Sequence, residues 1–358
     1  QAAVAVRLGL VDLDVVRAVH RLEQEAFLLH QPLQERVGPG RVVLGGDQSE
    51  DFQWALRAAN PSDDPVQGQC VGSAGINLTM KRIQNAIIAK GFITTRVLAQ
   101  PQDLNQGTLA LVLVPGRIKH IRFAPGTSTR ANYWNAMPAS PGDVLNLRDI
   151  EQALENFKRV PTAEADVQIT PAEGADAQPG ESDVVIAWKQ AIPVRVSLSV
   201  DDSGSKQTGK YQGNVALSLD NLATLNDLFY ISFNHDLGGG QSGDRGSKGH
   251  TVHYSVPYDY WQLSLTSSEY DYHQTIAGVN QAYSYSGRSR TNEVQLSRVI
   301  YRDAVRKTTV SVGGWSRTSS NYIEDTEIEL QRRRMAGWQA GINHREFIGA
   351  NTLDLIAR

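Results

Sequence analysis

From Pro193 to Arg358 apolar and polar residues take turns along the chain, and this period of two constrains the fold more than any other feature. Val194, Val196, Leu198 and Val200 alternate with Arg195, Ser197, Ser199 and Asp201. Phe229, Ile231 and Phe233 alternate with Tyr230, Ser232 and Asn234, and Val252, Tyr254 and Val256 with His253 and Ser255. Successive side chains of a strand point to opposite faces, so the pattern specifies antiparallel sheet with one oily and one polar face. Gly, Asn, Asp and Ser clusters divide it into about eight strands, beginning near Pro193, Lys210, Asp227, Gly249, Tyr260, Arg290, Lys307 and Thr326, with a further one near Ala350. Such a sheet has to hide its edges and its oily face, and a barrel in a membrane does both. A soluble sandwich is the alternative that the same alternation allows.

The joints between strands alternate in length. Residues 257–259 and 302–305 are short joints, and 237–248 and 274–289 are long ones. If the first strand enters at Pro193, the short joints share one end and the long ones share the other, with the tip at 319–325. Outer-membrane barrels have this asymmetry, with short turns in the periplasm and long loops outside. No apolar run approaches the roughly 18 residues of a spanning helix, which excludes that element and not a spanning strand. The net charge of −3 and the scattered basic residues give no general attraction to nucleic acid. Eight His and one Cys form no HExxH or CxxC motif, and 238–240 lacks the Lys-Ser/Thr of a phosphate loop. No catalytic residue, metal site or cofactor is therefore expected, and the chain does not read as an enzyme. Cys70 has no partner for an internal disulfide and is expected to be free or paired with another chain. No basic-then-apolar leader opens the chain, which is read as starting after signal cleavage or inside a longer product.

Before residue 191 the pattern is different. A helix is expected over about 12–29, followed by a Pro/Gly linker at 31–40. Next come a strand at 41–44, a short helix carrying Phe52, Leu56 and Ala59, and a longer one carrying Ile76, Met80, Ile83, Ile87 and Ile88. Gly91 stops that helix, and strands at 94–98 and 108–114 complete the unit. The order then recurs: a strand at 118–123, a short helix at 133–137, a helix capped by Asn146, and strands at 165–170 and 183–188. Two consecutive α+β units of about 75 residues form an internal repeat of architecture ahead of the all-β part.

Particular runs carry a resemblance. Ile76-Asn77-Leu78 leads into the longer helix, and Gly91-Phe92-Ile93-Thr94-Thr95-Arg96-Val97 follows it. Val114-Pro115-Gly116-Arg117-Ile118 joins the units, and Leu145-Asn146-Leu147-Arg148-Asp149-Ile150 opens the second long helix. Asp201-Asp202-Ser203-Gly204, Leu225-Asn226-Asp227, Tyr254-Ser255-Val256-Pro257 and Tyr301-Arg302-Asp303 lie in the alternating part. Through these runs together, residues 41–358 resemble the transporter component of bacterial two-partner secretion, the haemolysin-activator-like proteins of the outer-membrane POTRA-barrel superfamily. The resemblance implies an N-terminal plug helix in 1–40, POTRA domains at 41–116 and 117–190, and the first part of a transmembrane barrel at 191–358. Full relatives have sixteen strands. It implies a Gram-negative outer-membrane channel, with its POTRA domains in the periplasm, that secretes a large unfolded β-helical exoprotein carrying a two-partner secretion domain. Outer-membrane lipids and periplasmic chaperones are the other implied partners. Relatives carry an Arg-Gly-Tyr or Arg-Gly-Phe loop later in the barrel and a cysteine in the first POTRA strand. Neither is present, and that strand reads Arg41-Val42-Val43-Leu44, so the chain is expected to be a truncated transporter. A factor that inserts other barrels and an inactive relic are the rival readings.

An exposed POTRA strand edge can take up an extended client by β-augmentation. That role is expected of Thr94, Thr95, Arg96 and Val97 in the first unit and of Val167 and Ile169 in the second. Arg117, at the join, is either a solvated arginine or a clamp between units. Arg148 is a better candidate for a domain contact than Asp149, which the helix start already favours. Tyr301, Arg302 and Asp303 should form a periplasmic turn with an interfacial ring, and could also touch the second unit. Arg195, Ser197, His235, His253, Glu293 and Arg298 are expected to face the lumen.

Overall fold

The computed structural model describes residues 40–69, 71–104 and 107–358. The helix expected over 12–29, the linker up to residue 39 and Cys70 lie outside the described residues. Two compact units are formed. One is the described part of Gln1–Thr127 with Ala139–Glu151 and Ala165–Ala187, and the other is Ser128–Pro138, Gln152–Glu164 and Trp188–Arg358.

The first small sheet has the order β1-β3-β2, from β1 (Arg41–Gly46), β2 (Arg96–Ala99) and β3 (Thr108–Val114). β1 runs parallel to β3, and β2 runs antiparallel to it. Leu109, Leu111 and Leu113 alternate along β3 and turn one face into a core with Phe52, Ala55, Ala59, Ile83 and Ile87. The last two come from helix α1 (Ser73–Ala89). The short helix expected at 52–59 is a 3-10 helix over Ser49–Ala59, in which buried Phe52 and Ala55 are three apart, as three residues per turn requires.

The second sheet has the order β4-β6-β5, from β4 (Arg117–Phe123), β5 (Ala163–Pro171) and β6 (Glu181–Gln190). Helix α2 (Leu147–Phe157) buries Ile150, Ala153, Leu154 and Phe157. The helix expected at 133–137 is only a turn, in which the Ala136 and Met137 amides both reach the Tyr133 carbonyl. Pro138 disfavours helical backbone at Met137 and ends it there.

The alternating region forms one open antiparallel sheet. Its strands are β7 (Val194–Asp201), β8 (Gln212–Asp220), β9 (Leu228–Asp236), β10 (Arg245–Tyr258), β11 (Trp261–Ala277), β12 (Ala282–Arg302), β13 (Arg306–Ile323), β14 (Thr326–Glu327), β15 (Arg333–Ile348) and β16 (Asn351–Ala357). The order is β16-β15-β13-β12-β11-β10-β9-β8-β7, with β14 on β13 alone. The long loop expected at 274–289 is largely strand. β11 stays in register with β12 up to Ala277 opposite Ala282, because Tyr272, Tyr283 and Tyr285 continue a β-favouring pattern past the apolar part. The strand expected at Thr326 is only a hairpin tip behind Glu324 and Asp325, both at positive φ, and the long strand starts at Arg333.

Register assigns the faces. Ser197, Ala216, Ser232, Thr251, Ser268 and Thr291 form one row of small and hydroxyl side chains. Val196, Leu217, Ile231 and Val252 form the neighbouring row on the other face. On that oily face Val196 is 65%, Leu198 73% and Trp338 81% exposed, which suits hydrocarbon and not water.

Candidate functional site

β2 and β5 are end strands of their sheets, where outward N–H and C=O groups can pair with another chain. On β2 part of that edge is already taken. Gln84 of α1 donates Nε2–H to the Thr95 carbonyl (2.7 Å) and accepts the Val97 amide on Oε1 (2.9 Å). One carboxamide thus stands in for a peptide of a partner strand. Gln102 does the same for Ala110 of β3, at 2.8 and 2.7 Å, where β2 runs out. Thr94 and Thr95 precede the strand instead of forming its edge. Thr95 is fully buried and its hydroxyl accepts the Gly116 amide (3.1 Å), and a Cβ on Gly116 would lie 2.1 Å from the Thr94 hydroxyl. Arg96 turns back onto the Ile93 and Thr95 carbonyls, and the Val97 side chain enters the core. On β5 the Val167 side chain is buried and Ile169 half-buried, so the strand offers mainly its backbone.

At the join of the two repeats Arg117 donates to the Gly142 carbonyl (2.8 Å) and to Asp47 (2.7 Å), the bridge that a clamp requires. Arg148 forms a fork with Glu151 on its own helix, at 2.7 and 2.8 Å, with its stem against Gly91. Gly91 has φ +104°, and a Cβ there would lie 2.2 Å from Asn146 Oδ1. Its carbonyl accepts the Leu147 amide (2.8 Å), so the residue that ends α1 also seats the start of α2.

Four of the expected lumen residues lie on the polar face. Arg195, Ser218, Tyr230, His253, Thr266 and Glu293 form a single row across six strands, and Ser197 lies in the next one. His253 stacks on Tyr230 at 5.0 Å, and Glu293 accepts Gln339 Nε2–H at 2.7 Å. His235 and Arg298 correct the expectation. His235 has the parity of Phe229, Ile231 and Phe233, and Arg298 lies an odd number of residues from Glu293 with no bulge between, so both point to the oily face. Each is near a strand end, where that face meets water. Arg298 lies over the ring of its cross-strand partner Trp261, 4.8 Å from the centroid.

Within the second unit, residues 128–138 and 152–164 fasten the short joints of the sheet. Arg130 donates to the Asn221 carbonyl, and Asn132 to that of Thr224 (3.1 Å). Asn135, fully buried, donates to the Leu225 (2.5 Å) and Pro257 (2.8 Å) carbonyls and accepts Asn226 Nδ2–H (3.1 Å). Asn156 donates to the Ala136 (2.9 Å) and Asp259 (2.8 Å) carbonyls. Arg159 reaches the carbonyls of Asn226 (3.2 Å) and Ser255 (2.9 Å). At the short joint between β12 and β13 the Glu155 carboxylate holds both Arg302 and Lys307. Burial pushes the Glu155 pKa up, but these two cations outweigh it and keep it below the ordinary range. Asp303 accepts the Tyr301 hydroxyl (2.7 Å) and the Val305 (2.9 Å) and Arg306 (2.7 Å) amides. Against its desolvation these donors hold it well below the usual carboxylate range. Tyr301 and Asp303 thus build the turn, while Arg302 makes the rim contact.

Asn132, Asn135, Glu155, Asn156 and Arg159 were not legible as site residues. One signal existed: Gln152 and Asn156, four apart, lie on the buried stripe of α2, and buried carboxamides need partners.

Two α+β modules ahead of a sheet with one oily and one polar face define a class: outer-membrane proteins with periplasmic domains before a barrel. The family model of haemolysin secretion/activation proteins (ShlB/FhaC/HecB) matches residues 180–357, and POTRA models match 52–116 (ShlB-type) and 117–171. The chain belongs to this family of outer-membrane secretion proteins, in the Gram-negative outer membrane with its POTRA domains in the periplasm. It is 41% identical over 289 residues to the outer membrane transporter CdiB-2 of Burkholderia pseudomallei (strain 1026b), covering 80% of this chain and 48% of that protein. It is 34% identical to the outer membrane transporter CdiB of Dickeya dadantii (strain 3937), covering 78% and 48%. The solved CdiB from Acinetobacter baumannii matches with a TM-score of 0.80 and 29% identity, over 96% of this chain and 68% of that one. The chain spans about half the length of the curated relatives it matches.

Proposed function

We propose that this protein serves as part of an outer-membrane channel for two-partner secretion. It receives a large unfolded exoprotein with a two-partner secretion domain, delivered by periplasmic chaperones, and passes it to the cell surface. The observation that carries this reading is the continuous polar row from Arg195 to Glu293 behind an oily lipid-facing surface. Such a wall gives a moving polypeptide water and hydrogen-bonding groups and no apolar surface to stick to. We further propose that the client docks by adding a strand to β5, through backbone groups around Val167 and Ile169. On β2 an incoming strand meets Gln84 already bonded at Thr95 and Val97. A photo-crosslinker at exposed Gln168 on β5, and another at Thr251 on the polar face, test both parts in a secretion reaction. Adducts with the exoprotein at both sites are expected. Absence at Thr251 sinks the transit reading, and absence at Gln168 alone sinks the docking strand.

A further inference from the structure

We propose that Trp134 is a membrane anchor, seated at the headgroup–acyl boundary of the periplasmic leaflet beside the barrel's own interfacial residues. Trp134 is 65% exposed, large and apolar, yet it does not sit on a free loop. Its amide is held by Asn132 Oδ1 (2.9 Å), and Asn132 and Asn135 on either side are bonded to the joints at Thr224, Leu225 and Pro257. The chain therefore spends hydrogen bonds on presenting this indole outward.

Its neighbours identify the surroundings. The ring stands edge-on to Tyr258, with centroids 5.5 Å apart at 69°. Tyr258 ends β10 with the parity of Tyr254 and Val256, on the oily face, and pairs with Trp261 of β11. Trp261 in turn carries the Arg298 guanidinium over its ring. Trp134, Tyr258, Trp261 and Arg298 thus form one patch where the oily face stops. Amphipathic rings and a snorkelling arginine are what a membrane–water interface selects. Continuity with the lipid-facing surface makes phospholipid the occupant.

The inference rests on the oily face lying in lipid, and Trp338, on that face opposite Gly314 and 81% exposed, separates the two claims. A full-length version of the protein, with its barrel closed, is reconstituted in phosphatidylethanolamine–phosphatidylglycerol bilayers containing phosphatidylcholine brominated high on the acyl chain, and also titrated with aqueous iodide. Trp134→Phe and Trp338→Phe each remove one emitter, with circular dichroism confirming the fold. The emission lost in Trp134→Phe should be blue-shifted and quenched more by lipid bromine than by iodide. If iodide quenches it instead, the indole is in water; if neither quencher reaches it, protein covers it. Either result overturns the anchor while Trp338 remains lipid-quenched. Failure of lipid bromine to quench Trp338 would overturn the membrane face itself, and the anchor with it.

Discussion

Gln84 shows how a single side chain can close a strand edge. Its carboxamide offers a donor and an acceptor at the spacing of a peptide group and satisfies Thr95 and Val97, which would otherwise present a template for pairing. Gln84→Ala should cost about 1–3 kcal/mol, since the Val97 amide loses its acceptor and the Thr95 carbonyl keeps only Arg96. It should also speed hydrogen exchange at the Val97 amide; unchanged exchange there would show that the edge is protected by something else. Gly91 is the other residue whose identity is dictated locally. Its φ of +104° and the approach of Asn146 leave no room for a Cβ. Gly91→Ala should lose at least about 1–2 kcal/mol from the backbone alone, read by urea unfolding.

Among elements, the joint between β12 and β13 depends on a carboxylate from outside the sheet. Because the Glu155 pKa lies below its ordinary value, the attachment to Arg302 and Lys307 is complete above the unfolded glutamate pKa of roughly 4.3 and fades as pH falls through the lowered value. Glu155→Gln should loosen residues 303–306 already at neutral pH, seen as faster hydrogen exchange, and should abolish the acid-dependent step. A variant joint as protected as the parent would mean that Asp303 and its own turn suffice. On β7 the two faces make a sharper contrast. Leu198→Arg should destabilise the protein by about 2–4 kcal/mol if it lies near the bilayer midplane, whereas Ser197→Arg should be tolerated. Spin labels at the two positions in a reconstituted, full-length version give the check: oxygen should relax the label at 198, and a water-soluble relaxer the one at 197. Equal accessibility would remove β7 from the membrane.

For the whole molecule, the governing fact is that β7 and β16 each pair on one side only among the described residues. An open sheet in hydrocarbon leaves unpaired backbone groups, which a bilayer does not tolerate. These 358 residues by themselves should therefore give no regular conductance in planar bilayers, and reproducible channel openings from this chain would contradict that. Much of the architecture was legible beforehand. Apolar spacing located α1, α2 and nearly every long strand, because helix and strand periods are written in neighbouring residues. Strand ends were less legible. β11 and β12 run on past their apolar residues because each is the other's hydrogen-bonding partner, which no local pattern states.

By itself the sequence determined much of which side chains share a face: period two places Arg195, Ser197, His253 and Glu293 on the polar one, while the unbroken strands of the structure moved His235 and Arg298, expected there too, to the oily one. Tertiary structure alone decided what those faces and edges meet. Asn135 bonds Leu225 and Pro257, 90 and 122 residues away, and Glu155 meets Arg302 147 residues on. Hydrogen bonds are directional and short, so these pairings exist only once strand register and chain path have brought the groups within reach. Periodicity is local, and partnership is not.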